Sequence, residues 1–374
     1  MTLDTLPGGP GTLDSPFLRP SAGLFRNRRT RRPGEVNLKS CGLLHPRAAA
    51  VHAQTLGQLD PVDVLTYPDY RPAYAMLAER LGTTPDSLVL TAGSDPGLGL
   101  LTRAFPSVTR IVLHHPNYDG WSKFARIAGC EPDPVPADPA TGRFVLGDLL
   151  PRLRQGPPAF VVVTQPHSLT GQVHEARQLA ELAEAVGAHG SLLVLDTAYL
   201  AFTEGGEELV RGLTGLRHVV RVNSFSKCYG LSGARIAVLV AHPATARHLF
   251  DLDPEAPVSA VALALLQGSL RRHGVFEEVW AEVRGLRARF AERVEEALPG
   301  WRSRPGGGNF VTWDVPGPGQ AASATGHLHE HGIVIRDLSG LPGLPAALRI
   351  AVADGPTVDR VVDLLRTWRE GFAE

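Results

Sequence analysis

The chain has 374 residues, 43% of them hydrophobic, and a formal net charge of −1 at pH 7. That balance excludes the strong basic excess of a nucleic-acid or membrane-surface binder and favours a globular protein with a small-molecule ligand. Cys41, Cys130 and Cys228 are its only cysteines and form no Cys-x-x-Cys pair, so neither a disulfide framework nor a zinc site is indicated.

No stretch reads as a signal peptide, and no apolar run approaches the roughly 20 residues that cross a bilayer, so a cytoplasmic protein is expected. Residues 1–36 are rich in Pro, Gly and Arg and read as an N-terminal arm whose basic run, Arg26 to Arg32, is a solvated segment. From about residue 60 to 245, helix-like stretches alternate with short apolar runs: Ser87 to Leu90, Arg110 to Leu113, Phe160 to Thr164, Leu192 to Leu195, Val219 to Val222 and Ile236 to Val240. Such runs, separated by amphipathic helices such as Ala176 to Ala188, predict an α/β fold with a mostly parallel sheet covered by helices. Long helices follow from Ser259 to Leu298, broken near Gly274. Asn309 to Trp313, Ile333 to Arg336 and Leu348 to Val352 read as strands, and Thr357 to Trp368 as a closing helix. The organisation expected is an arm (1–36), a large domain (37–255), connecting helices (256–298) and a smaller α+β C-terminal domain (299–374).

Three lysines stand against 34 arginines, and one of them, Lys227, lies in Ser224-Phe225-Ser226-Lys227, eight residues before Arg235. A lysine amine can be deprotonated by its surroundings and attack an aldehyde, which a guanidinium cannot. Asp196 closes the run Leu192 to Leu195, 31 residues before Lys227. A carboxylate at the end of an apolar strand costs desolvation unless a cation or donor meets it, and a protonated pyridine ring is such a partner. Tyr199 is placed to donate to a phenolic oxygen. The turn Thr91 to Gly97 precedes the apolar stretch Leu98 to Phe105, so free N–H groups there face an anion. A pyridoxal phosphate site needs these groups together: an amine, a ring-facing acid, phosphate donors and a carboxylate anchor.

The chain resembles the fold-type-I pyridoxal phosphate enzymes of the class I/II aminotransferases, and is most similar to the histidinol-phosphate aminotransferase-like branch. The resemblance runs from about residue 36 to the C-terminus. It rests on Thr66-Tyr67-Pro68-Asp69, Gly93-Ser94-Asp95-Pro96-Gly97, Pro116-Asn117-Tyr118, Asp196-Thr197-Ala198-Tyr199, the Lys227 motif, Arg235, Asn309-Phe310 and Leu348-Arg349-Ile350. It implies that Lys227 attaches the cofactor and moves the α-proton, that Asp196 pairs with the pyridine nitrogen, and that Tyr199 bonds the phenolic oxygen. It also implies that Tyr118 stacks on the ring, that Gly93, Ser94, Asp95, Ser224, Ser226 and Arg235 form the phosphate end, and that Arg349 clamps the substrate carboxylate. Tyr67 would reach the phosphate of a neighbouring subunit, which implies a homodimer.

Where the family has Asn-Pro-x-Asn-Pro-Thr-Gly, the chain has Gln165-Pro166-His167-Ser168-Leu169-Thr170-Gly171. Ser168 is shorter than the family's asparagine and is expected to reach the phenolic oxygen through water or not at all. The family's Asn-Glu-Asn-Pro segment is here Lys39-Ser40-Cys41-Gly42-Leu43, so a diverged substrate pocket is expected. Arg336 matches a phosphate-binding position of the branch, and His167 is either a substrate contact or an exposed loop residue. The expected reaction is amino transfer between an amino acid or related amine and a 2-oxo acid, in specialised metabolism. The alternatives on the same fold are a decarboxylase, a lyase or replacement enzyme or a cyclase, and, from another class, a non-catalytic scaffold. Trp121 reads as core or site wall, Gly306 to Gly308 as a flexible turn, and His327, His329 and His331 as a solvated helix end rather than a metal site.

Overall fold

The chain is described by a computed structural model over residues 32–138, 141–253 and 257–372. The expected arm lies, up to residue 31, outside the described residues, and the main body begins at Pro33. In chain order the strands are β1 (Val36–Asn37), β2 (Leu88–Thr91), β3 (Arg110–His115), β4 (Glu131–Pro136), β5 (Phe160–Thr164), β6 (Leu192–Asp196), β7 (Val219–Ser224), β8 (Ala237–Ala241), β9 (Arg302–Ser303), β10 (Phe310–Asp314), β11 (Ile333–Val334), β12 (Arg336–Asp337) and β13 (Ala347–Ala351).

Seven of them form one sheet in the order β2-β8-β7-β6-β5-β3-β4. Every pair in it is parallel except those made by β8, which runs antiparallel to both β7 and β2. β5 and β6 are buried along their whole length, which is why they read as unbroken apolar runs rather than alternating ones. The helix Ala176–Ala188 covers one face with Leu179, Leu182, Ala183 and Val186, and Glu175 and Gln178 close its N-terminus as a capping box. The parallel strands end on one edge of the sheet, which gathers Thr164, Asp196 and Ser224.

A strand that was not expected, β4, carries prolines at 132, 134 and 136. It is tolerated because β4 is the edge strand: Glu131 donates inward to Thr109 O at 2.8 Å, so the alternating prolines turn their missing N–H groups to the open side. The expected long helices are Ala260–Arg271 and His273–Ala297, with the break at Arg272. Phe276, Val279, Trp280, Val283, Leu286, Phe290 and Val294 of the second lie along one buried stripe. After it come an antiparallel sheet, β12-β13-β10-β9, and the helix Gly355–Phe372. The expected strand Ile333 to Arg336 is two: β11 pairs with β1, and β12 with β13. No described helix is long and apolar enough to cross a membrane.

Candidate active site

Each expected catalytic side chain starts from the carboxyl edge of the large sheet. Asp196, the last residue of β6, is buried with its side chain behind the indole of Trp121: Trp121 Nε1 donates to Asp196 Oδ2 at 3.2 Å, and the Ala198 N–H to Oδ1 at 3.2 Å. Burial raises its pKa to about 6, against the lowering by these two donors and by Lys227. Asp196 makes no ion pair among the described residues. Trp121 was expected only as core or wall. Its position three residues after Tyr118, one turn into the helix Asp119–Ala128, is the sequence signal that turns it toward the same strand end.

Lys227 lies in a short helical turn, Phe225–Cys228, whose N-cap Ser224 accepts from Ser226 N. Its Nζ donates to Ser40 O at 2.5 Å. Arg349, central in β13, is buried. Its guanidinium lies 5.2 Å from the centre of the Phe310 ring and donates to Ser168 O and, at 2.9 Å, to Lys39 O. Tyr199 meets the same Phe310 edge-on at 5.3 Å, and burial raises its pKa well above the usual phenol value, with Cys41 adding to the rise. The segment Lys39 to Cys41 thus supplies carbonyls to both expected cations, and Asn309 Nδ2 fixes it by donating to Cys41 O at 3.1 Å. Cys41 takes a left-handed backbone, φ 51°, to turn there.

At the phosphate end the helix Ser94–Ala104 starts earlier than expected, placing Ser94, Asp95, Pro96 and Gly97 in its first turn. Gly93 caps it at φ 100°, and a Cβ there would come within 2.8 Å of Arg235 Nη2. The guanidinium of Arg235, itself at φ 56°, therefore lies against the free N–H groups of that helix. Tyr118 donates to Asp95 Oδ1 at 2.7 Å, bridging the ring position to this end.

Ser168 gives its hydroxyl proton to Asn117 Oδ1 at 3.1 Å, an oxygen that also receives Thr164 Oγ1 and the Tyr118 N–H. His167 is not an exposed loop residue. It is 1% exposed, packs on Phe144 at 4.2 Å between ring centres, and desolvation holds it neutral. Arg336 lies opposite Arg349 across the β12–β13 pair, and its side chain is 3.7 Å from Asp119. Tyr67 is 91% exposed. Among the described residues no group of three or more His, Cys, Asp or Glu is arranged to hold a metal ion.

The family model of aminotransferase class I and II matches residues 41–365. The histidinol-phosphate aminotransferase of Deinococcus radiodurans is 29% identical over 299 residues, covering 79% of this chain and 81% of that protein. Among solved structures, histidinol-phosphate aminotransferase from Sinorhizobium meliloti, in complex with pyridoxal-5'-phosphate, superposes with a TM-score of 0.79 at 23% identity over 90% of this chain and 91% of that one. L-threonine-O-3-phosphate decarboxylase from Porphyromonas gingivalis does so with a TM-score of 0.74 at 21% identity, over 90% and 99%.

The residues present fit pyridoxal phosphate. A buried carboxylate without an ion pair suits a protonated ring nitrogen, the Lys227 amine lies close enough for its charge to act on that carboxylate, and the Gly93–Arg235 cradle suits a phosphate dianion. The chain belongs to the class I and II aminotransferases, is similar to their histidinol-phosphate aminotransferase-like branch, and is a pyridoxal-phosphate-dependent enzyme.

Proposed function

We propose that the protein transfers the amino group of an α-amino acid or related amine to a 2-oxo acid, as a homodimer in the cytoplasm, in a specialised pathway rather than ordinary histidine biosynthesis. The observation that carries this is Asp196, sealed in the interior with its pKa raised to about 6 and within the field of Lys227. Such a carboxylate gains more from a cationic ring than an exposed one does.

Bound pyridoxal phosphate supplies a sink for the electron pair left when a bond to the substrate's Cα breaks. Asp196 would hold a proton on the pyridine nitrogen, keeping that sink strong. Lys227 would leave Ser40 O, hold the cofactor covalently, and, once displaced by the substrate amine, carry the proton away from Cα. Arg349 would fix the substrate carboxylate; its Nε is buried without a partner, a donor which that carboxylate would satisfy. Tyr199 would donate to the phenolic oxygen and Tyr118 cover the ring. Gly93, Ser94, Asp95, Ser224, Ser226 and Arg235 would form the phosphate end. With its proton engaged by Asn117, Ser168 would offer the phenolic oxygen no direct donor. His167, neutral and near Arg349, would shape the substrate side.

The segment Lys39 to Leu43, diverged from the family's Asn-Glu-Asn-Pro, supports a substrate other than histidinol phosphate. Val62, Val64, Leu65 and Tyr67 form an exposed apolar stretch, which supports a second subunit at this face and Tyr67 entering its site.

The test is to mix purified enzyme with a panel of amino acids and histidinol phosphate and follow the cofactor's visible band. Conversion toward pyridoxamine phosphate by at least one amino acid, lost in Lys227→Ala, is expected. Decarboxylation is the second reading, favoured by the lost donor at Ser168 and by the likeness to the Porphyromonas decarboxylase. Carbon dioxide release without conversion of the cofactor would replace the first reading by the second.

A further inference from the structure

A cavity of about 360 Å³ lies between the end of the helix Arg71–Leu81, the loop and helix around Gly205 to Arg211, and the middle of the helix His273–Ala297. None of the residues assigned above to cofactor or substrate lines it. Its volume falls in the range of small-ligand sites, about 300–1,000 Å³.

Counting Arg221, the partner of Glu207, four guanidiniums stand against three carboxylates around it. Three carboxylates line it, and each already has a cation or imidazole: Glu207 is held by Arg221 through two bonds of 2.7 and 2.8 Å, Glu208 by Arg211 at 3.0 Å and Glu277 by His273 at 3.1 Å. Burial pushes the Glu207 carboxyl up, yet Arg221 and, further off, Arg80 hold it below its usual range, so it stays ionised. Two lining guanidiniums, Arg80 and Arg284, remain without a carboxylate partner among the described residues. Arg80 comes from the helix Arg71–Leu81 and Arg284 from the helix His273–Ala297. The lining also has the apolar side chains of Leu77, Leu81, Leu270 and Trp280. A cavity with guanidinium in excess of carboxylate and apolar side chains in its lining is complementary to an anion carried on an apolar body.

We infer that this cavity is a second ligand site that binds an organic monocarboxylate, its carboxylate held by Arg80 and Arg284 and its apolar part seated against Leu270 and Trp280. Its occupant bridges the large sheet's helices and the long helix that leads into the C-terminal sheet.

Phenylacetate tests this, because it has neither an amino nor a keto group and cannot turn over. Titrated calorimetrically into the pyridoxal phosphate-loaded enzyme, it should bind at a site that leaves the visible cofactor band unchanged. Affinity should fall about tenfold or more in Arg80→Gln and in Arg284→Gln and be lost in the double variant, since each removes a charged donor. Both positions reach solvent, and an unchanged cofactor band and amino-transfer rate would show that the variants fold. Binding should persist in Arg349→Lys, and inorganic phosphate, which lacks the apolar part, should bind more weakly. The inference is overturned if no binding appears at millimolar phenylacetate, if the Arg80 and Arg284 variants bind as well as the parent, if binding disappears with Arg349, or if phosphate binds as tightly.

Discussion

Replacing Asp196 by Asn probes the electrostatics of the site without any substrate. In the cofactor-free protein, burial lifts the Asp196 carboxyl from 3.8 to about 6. A rise of about 2 units, at about 1.4 kcal/mol per unit, is worth about 3 kcal/mol. The folded pKa lies above the unfolded one, so the protonated acid is the form the fold tolerates. Its contribution is complete below about pH 4 and is lost as pH rises through about 6. Asparagine cannot ionise and should lose nothing over that interval. Urea unfolding of both cofactor-free proteins between about pH 4 and pH 8, at one protein concentration, gives the difference directly. Other titrating groups are common to both proteins and cancel. The wild type should forfeit about 3 kcal/mol relative to Asp196→Asn across the window. A difference that stays flat, or slopes the other way, would refute the claim that this carboxylate is buried without an ion pair to offset its desolvation. On the proposed pairing, adding pyridoxal phosphate supplies a cation, and the wild type should then gain more stability at pH 7 than the variant.

Trp121→Phe removes one of the two donors to Asp196 and should cost about 2 kcal/mol at neutral pH; it should also shift the pH window of Asp196 upward, read by the same titration, whereas Trp121→His, which keeps a donor, should restore part of it. Gly93→Ala puts a Cβ 2.8 Å from Arg235 Nη2 at a φ of 100°, and pyridoxal phosphate affinity measured by equilibrium dialysis should drop about tenfold or more. Unchanged affinity would remove Gly93 and Arg235 from the phosphate end. Burial lowers His114 from 6.5 to about 4, so its contribution is present above about pH 6.5 and lost as pH falls through about 4, about 3 kcal/mol in all. His114→Gln, which keeps a side-chain nitrogen to donate to Val145 O, should give a visibly flatter stability profile below pH 6.5 by urea unfolding.

Periodicity and strand-end chemistry determined much of this protein by themselves. The unbroken apolar runs of β5 and β6 and the helix Ala176–Ala188 follow from residues within each segment, because complete burial leaves no polar alternation and a helix shows its buried stripe at three- and four-residue spacing. Asp196 and Lys227 were found because an acid ending an apolar strand and a rare amine among hydroxyls are local anomalies. Tertiary structure decided the rest. The proline-laden β4 forms a strand only because an edge position asks nothing of the missing N–H groups. Trp121 becomes a donor to Asp196, and the Lys39 to Cys41 carbonyls become acceptors for Lys227 and Arg349, through contacts between segments as much as 310 residues apart. Ser168 turns to Asn117 for the same reason: a hydrogen bond depends on which group the fold brings within about 3 Å, and a segment's own sequence carries no record of that neighbour.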